Sequence, residues 1–309
     1  MEQVDDVLRR EMRNDDPYVD ELVRYGGTLG GKRLRPALLL LTAKAVGSVT
    51  GEHLILAAVV EMIHTATLVH DDLLDEATVR RHRATVNARW DADASVLLGD
   101  FLFSHAFYLA STLDSTMACR LIGRATNVVC AGEIRQKGSR HRFQLAEEEY
   151  LQILGAKTGE LCACCCQLGA HFAGASPSLT GQLADYGRYL GIAFQIADDL
   201  LDVTGDERTV GKSLGSDLDQ QKPTLPLIRA LQVADRTRHR RILEILEADR
   251  ACRHAELRRH FEELGTVDYT RRKARQFVGQ ALEQLESLPN SPPESSLRAL
   301  AEFAADRSH

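Results

Sequence analysis

The chain has 309 residues, 44% of them hydrophobic, and a formal net charge of −6. That length and apolar content support a sizeable buried core in one large domain or two small ones. The acidic balance argues against nucleic acid or an anionic membrane surface as the main partner, since either favours a basic excess.

The opening residues, MEQVDDVLRREMRNDD, hold no apolar signal region. No run of about 18 apolar residues follows, so no transmembrane segment is expected. From there apolar residues recur every three or four positions, with no series of alternating β-branched strands between turn signals. The spacing predicts helices over roughly 34 to 46, 53 to 76, 94 to 112, 116 to 137, 146 to 172, 179 to 204 and 221 to 233, then a final group to about 307. Punctuation falls at Gly26-Gly27 and Gly30-Gly31, at 46 to 51, 138 to 141 and 174 to 181, across 204 to 223, and at 289 to 293. None of these breaks carries the composition shift of a linker, so residues 1–309 read as one all-α domain.

The pentapeptide DDLLD occurs at Asp71–Asp75 and again at Asp198–Asp202. On a helix Asp71 and Asp75 share a face, as do Asp198 and Asp202, while Asp72 and Asp199 are turned by about 100°. Like charges at that spacing destabilise a helix by about 0.2 to 0.5 kcal/mol, and the apolar flanks around Asp198 predict burial. A cation must compensate. Carboxylates without accompanying Cys or His ligands prefer hard cations, and Mg²⁺ in particular combines a few carboxylates with water and phosphate oxygens.

The basic residues complete that chemistry. Lys32, Arg33 and Arg35 in GGKRLRP stand between a glycine turn and a helix start, where backbone N–H groups and the helix dipole favour phosphate. Arg80-Arg81 follows the first acid cluster, Lys157-Thr158 lies in a small-residue helix, and Lys212 and Lys222 follow the second cluster. Other phosphate and metal motifs fail. GDERTVGKS spaces its glycines wrongly for a P-loop and no strand precedes it, and neither acid cluster has the alternating layout of an EF-hand. The seven cysteines include the CACCC run, Cys162 and Cys164–Cys166. C-x-x-C spacing at Cys162 and Cys165 raises a metal site as the alternative to core thiols, but no second ligand pair accompanies it. Reduced core thiols and a cytoplasmic location are the expectation.

GGKRLRP, EMIHTATLVHDDLLD with Arg80-Arg81, AKTGEL, FQIADDLLD and the GK…QKPTLP stretch, in this order from about residue 25 to 230, resemble the motif set of the trans-isoprenyl diphosphate synthases, the polyprenyl synthetase family. The resemblance implies a single-domain bundle of long helices around a deep central cavity, commonly a homodimer, and Mg²⁺-dependent head-to-tail condensation of an allylic diphosphate with isopentenyl diphosphate. By the same resemblance Asp71, Asp75 and Asp198, supported by Asp72, Asp199 and Asp202, hold Mg²⁺ ions, three per site, on the allylic diphosphate. Arg80, Lys157, Lys212 and Lys222 clamp that group. Lys32, Arg35, His64 and Arg81 bind isopentenyl diphosphate, and Thr158 and Gln195, with Lys157, serve the reacting carbons. A lone histidine in an apolar helix is usually a core residue; the place of His64 in the motif is what assigns it to substrate.

Product length is read from the helix preceding Asp71. Ala66 and Thr67 are small where fifteen-carbon enzymes of this family often carry aromatic rings, and Ile63, Met62 and Val59 are aliphatic. A tunnel lined so predicts a product of roughly C30 to C40, with geranylgeranyl diphosphate as the alternative. Phe101, Phe103, Phe107 and Tyr108 on the following helix are the aromatics able to close it. Two competing functions differ in class. Terpene cyclases share the first acid motif but carry a different second metal motif, and a non-catalytic or obligate partner subunit of a heteromeric synthase is expected to have lost acids or clamp residues that all stand here.

Overall fold

In the computed structural model, residues 1–205, 215–247 and 250–305 are described. Apart from one hairpin, Val79–Arg80 against Arg83–Ala84, every regular element among them is helical. The chain divides into two compact units: one comprises residues 1–126, 161–187 and 286–297, the other 127–160, 188–285 and 298–309.

The first unit begins with α1 (Glu2–Glu11) and α2 (Pro17–Thr28). The Asp16 carboxylate accepts from the Tyr18 and Val19 amides, and Pro17 occupies the first helical position, where its missing N–H costs nothing. Neither helix is among those that the apolar spacing predicts. α3 (Leu34–Val46) matches its expected range. α4 (Gly51–Leu74) starts from a capping box in which Thr50 N–H donates to His53 Nδ1 at 3.0 Å. Its residues Leu56–Val60, Met62, Ile63, Ala66 and Val69 are all buried. Each large aliphatic side chain among them contributes about 1.5–3 kcal/mol.

Past the hairpin and a four-residue helix, α5 (Val86–Arg89), runs α6 (Ala92–Ser111), whose first turn is capped by Asp91 at 2.7 Å from the Ala94 amide. α4 and α6 are long and apolar enough to cross a membrane, but two-thirds of the apolar stretch of α4 is buried inside the protein, which is what a core helix requires. The two pack closely at Gly99, where a Cβ would overlap the His70 imidazole. His70 Nε2 also lies 3.2 Å from the Val96 carbonyl oxygen.

α7 (Thr116–Gly138) and α8 (Glu147–Leu154) follow. The helix expected over 146 to 172 is interrupted by a π-helical turn, Gly155–Gly159, before α9 (Glu160–Phe172). In the first unit, α9 buries Cys162 and Cys164–Cys166, all unbridged, and Gly169 touches the Leu39 backbone. Burial pushes the Cys166 thiol up to about 12 and raises those of Cys162 and Cys165, the behaviour of inert core thiols. The long helix α10 (Pro177–Thr204) carries the second acid cluster.

The core of the second unit gathers Tyr150, Ile153, Leu154, Ile192, Ile196, Leu225 and Ile228 around the start of this cluster. A second group holds Leu200, Leu218, Leu227, Ile242, Leu257 and Phe261. The helix expected from 221 begins only at Leu225, because Gln221 has φ 53° and Pro223 follows. The helices Arg236–Glu247, Arg250–Glu263, Thr266–Glu283 and Pro292–Ala305 complete the described chain.

Candidate active site

Both acid clusters lie at the C-terminal ends of apolar helices, where the macrodipole adds negative potential to the carboxylates. α4 ends at Leu74, with Asp75 as its cap and Glu76 at φ 52°, so Asp71 and Asp75 stand on the last turn. Between them Asp72 is only 2% exposed. The Arg80 guanidinium meets it with Nε 2.8 Å from both carboxylate oxygens and Nη2 2.8 Å from Oδ1. Burial raises the Asp72 carboxyl above its ordinary value, Arg80 opposes that shift, and Asp71 and Asp75 add to it.

Arg80 is placed by the hairpin. The two residues at its tip, Arg81 and His82, both have positive φ, 50° and 62°, as a type I′ turn demands. Non-glycine residues in that region cost about 1–2 kcal/mol each, so the turn is held under strain. The Arg81 guanidinium donates to the Leu29 carbonyl at 3.1 Å and lies against Gly31, where a Cβ would overlap it. Gly30 is open to the Arg33 guanidinium for the same reason. This accounts for the paired glycines of GGKRLRP: guanidinium groups lie directly on the backbone.

The three cations of that motif part company here. Arg33, with φ 54°, bonds Glu61 at 2.7 Å and Asp5 at 3.3 Å, which makes it an anchor. Lys32 is exposed, and Arg35 Nε is buried without a hydrogen-bond partner among the described residues. Burial, then the fields of Arg35, Arg81, Arg80 and Arg33, hold His64 well below the ordinary histidine value. Its imidazole is therefore neutral among four guanidinium groups, an arrangement suited to an anion. Arg35, His64 and Arg81 thus share one electrostatic environment. Glu61, which neutralises Arg33, is not recognisable from sequence, because an acid inside the apolar run of α4 has no local signal of its partner.

In the second unit the π-helical turn presents Lys157 and Thr158. Single π turns concentrate at functional sites because the extra residue rotates the side chains that follow. Gly132 on α7 and Gly191 on α10 admit it: a Cβ at either would press on backbone atoms of Lys157 or of Gly159 and Thr158. Lys157 Nζ reaches Glu133 Oε2 at 2.8 Å and Gln136 Oε1 at 2.9 Å.

Thr158 donates to Gln195 Oε1 at 2.9 Å, and Gln195 Nε2 donates to Asp199 Oδ1 at 2.8 Å. The Tyr150 hydroxyl donates to Asp199 Oδ2 at 2.7 Å. Burial, then the charge of Asp217, raises the Asp199 carboxyl to about 7 against the opposing bonds from Gln195 and Tyr150.

Asp202, 2% exposed, accepts from the Asp217 amide at 3.1 Å, and Asp198 is half-buried. Lys222 Nζ lies 3.5 Å from Asp217 Oδ1. Lys212 lies outside the described residues. Asp217, Glu133 and Tyr150 are missed by sequence reasoning. Asp217 had a signal, an acid lodged between the GK and QKP elements, whereas Tyr150 lies in an ordinary helical pattern.

The donor set is oxygen throughout, which suits a hard divalent cation. Among the described residues, no three of His, Cys, Asp or Glu converge into a ready-made metal group. Mg²⁺ is commonly held by one or two carboxylates with water and substrate phosphates, so the residues fit that ion better than zinc.

Long apolar helices end in acid clusters, each with cations beside it, a residue chemistry suited to a hard cation and an anion. The chain matches the polyprenyl synthetase family model over residues 16–264, and it belongs to that family, whose members are prenyltransferases. It is 36% identical to octaprenyl diphosphate synthase of Escherichia coli (strain K12), over 98% of this chain and 94% of the relative. The fold matches a decaprenyl diphosphate synthase from Rhodobacter capsulatus with a TM-score of 0.94 at 34% identity, covering 100% of this chain and 96% of the other. A polyprenyl synthase from Caulobacter crescentus CB15, complexed with calcium and isoprenyl diphosphate, matches with a TM-score of 0.93 at 35% identity, covering 99% and 94%.

Proposed function

We propose that this prenyltransferase condenses an allylic diphosphate with isopentenyl diphosphate, head to tail, in the presence of Mg²⁺. The single observation that carries the reading is the repeated DDLLD at two helix C-termini, each accompanied by cations: Arg80 on Asp72, and Lys222 through Asp217. Residues 1–309 act as one polyprenyl synthetase domain, a reading supported by the family match running through both units.

Asp71, Asp75 and Asp198, with Asp72, Asp199 and Asp202 in support, would hold Mg²⁺, three per site, on the allylic diphosphate. The metal supplies Lewis-acid stabilisation of the departing diphosphate. Calcium in the Caulobacter relative supports the divalent-cation part of this reading.

Arg80, Lys157, Lys212 and Lys222 clamp the diphosphate oxygens where charge develops as the C–O bond breaks. Lys32, Arg35, neutral His64 and Arg81 bind isopentenyl diphosphate and present its double bond to the allylic carbon. The oxygens of Thr158 and Gln195 face the positive charge that results. The bond forms, a proton leaves to the diphosphate, and the product is five carbons longer.

None of Ala66, Ile63, Met62 and Val59 is aromatic, which supports a product of roughly C30 to C40. On α6, Tyr108 is 62% exposed and so does not close a tunnel within its own chain. Leu97 and Val96 on the same helix are also exposed. This exposed apolar surface supports assembly as a homodimer.

The test is mass spectrometry of the products formed by the purified chain from isopentenyl diphosphate and each of three allylic primers, with Mg²⁺ and with chelator. Elongation lost on chelation is expected. A cyclic hydrocarbon from the allylic diphosphate alone would overturn the assignment.

A further inference from the structure

One member of the hydrogen-bond chain around Asp199 takes no part in the chemistry proposed above. Tyr150 is 3% exposed, and its ring is fixed among Leu145, Ile153, Leu154, Ile196, Leu225 and Ile228. Its side chain is buried, and among the described residues its hydroxyl bonds the Asp199 carboxylate, at 2.7 Å on Oδ2. The other oxygen, Oδ1, accepts from Gln195 Nε2 at 2.8 Å, and Asp199 is itself 5% exposed.

This arrangement favours one direction of the Gln195 amide. In its ionised form the Asp199 carboxylate only accepts, which turns the amide nitrogen to Asp199 and the amide oxygen to Thr158, whose hydroxyl donates to it at 2.9 Å. Thr158, with its proton committed to Gln195, keeps its own lone pairs for the other side. The reversed amide would put two N–H groups at Thr158 instead. Near a developing cation that is the difference between a stabilising and a repelling dipole. Asp199 controls the amide only while its own plane is held, and the Tyr150 hydroxyl is the second point that holds it.

We propose that Tyr150 is a positioning residue for prenyl transfer: acting through Asp199, it keeps the Gln195 carbonyl oxygen directed at Thr158, so that acceptor oxygens line the place where positive charge develops. The inference rests on the prenyltransferase reading. It assigns Tyr150 no contact with substrate and no role in binding isopentenyl diphosphate.

The test is Tyr150→Phe in the full chain, with an allylic diphosphate, isopentenyl diphosphate and Mg²⁺. Loss of a hydrogen bond to a charged partner predicts a fall in kcat of about tenfold or more, with KM for isopentenyl diphosphate held within about twofold. The ratio of allylic alcohol, from capture of the cation by water, to condensed product should rise. A purely structural role lowers the active fraction and leaves that ratio unchanged. Asp199→Asn is the second variant and carries the test should Tyr150→Phe not fold: its amide nitrogen competes for the place of Gln195 Nε2, and the ratio should rise in the same direction. An active wild type beside variants with unaltered ratios overturns this inference alone. A wild type that condenses nothing overturns the prenyltransferase reading with it.

Discussion

Replacing Arg80 by leucine isolates the energetics of the first acid cluster in the absence of substrate. Asp72 has a side-chain exposure of 3%, and Arg80, at 27%, meets it with Nη2 2.8 Å from Oδ1. Removing one partner of a fully buried pair costs about 3–5 kcal/mol, and the partial exposure of Arg80 brings the expectation down to about 2–3 kcal/mol. The pH dependence gives the sharper check. The folded Asp72 carboxyl is raised, chiefly by burial, so its contribution to stability is greatest where it is protonated and is lost as pH rises from the ordinary carboxylate range through the raised value.

Arg80 opposes that rise, and without it the carboxyl moves higher still. The cost of Arg80→Leu must therefore be larger near pH 7 and shrink as pH falls toward about 4. Urea unfolding of wild type, Arg80→Leu and the Arg80→Leu/Asp72→Asn double variant measures this directly. The double variant, with no buried charge to strand, should recover most of the loss. A cost below about 0.5 kcal/mol near neutrality, or one that grows on acidification, refutes the buried-pair argument.

Further outcomes are expected elsewhere. Ala66→Phe puts a ring where Ala66 is 0% exposed, so it should shorten the product as separated by chromatography and cost about 1–3 kcal/mol from overpacking. His53 and His64 are held below the ordinary value of 6.5, in both cases chiefly by burial. Their stabilising contribution is therefore present above that value and lost as pH falls through the window beneath it; His53→Gln, which keeps a capping acceptor, should flatten the acid limb of thermal stability. Gly169→Ala should lower stability by about 1–3 kcal/mol in denaturant, because its Cβ would strike the Leu39 carbonyl oxygen, a backbone atom that cannot swing aside. Mg²⁺ with pyrophosphate should raise the melting temperature in a concentration-dependent way, and Asp71→Ala should remove most of that rise.

What the amino-acid sequence determined by itself is whatever repeats at short range. Helical periodicity reveals the helix class and the span of α3, whose range matches the expectation residue for residue. The spacing within DDLLD places Asp71 and Asp75 on one face, and the neighbouring cations mark the chemistry. The π turn at Gly155–Gly159 leaves no such trace, because its apolar pattern reads as continuous helix through 146 to 172. Nor does sequence distinguish Arg33, bound to Glu61, from Arg35, whose buried Nε has no hydrogen-bond partner among the described residues.

Tertiary structure alone brought Tyr150 to Asp199 across 49 residues of chain, and Gln195 to Thr158 across 37. The physical reason is directional. Periodicity says which face of a helix turns inward, but a hydrogen bond needs a donor and an acceptor within about 3 Å at a fixed angle. Only the packing of one helix on another supplies that distance. Glycines at 132 and 191, ordinary in the sequence, allow the approach that gives the site its partners.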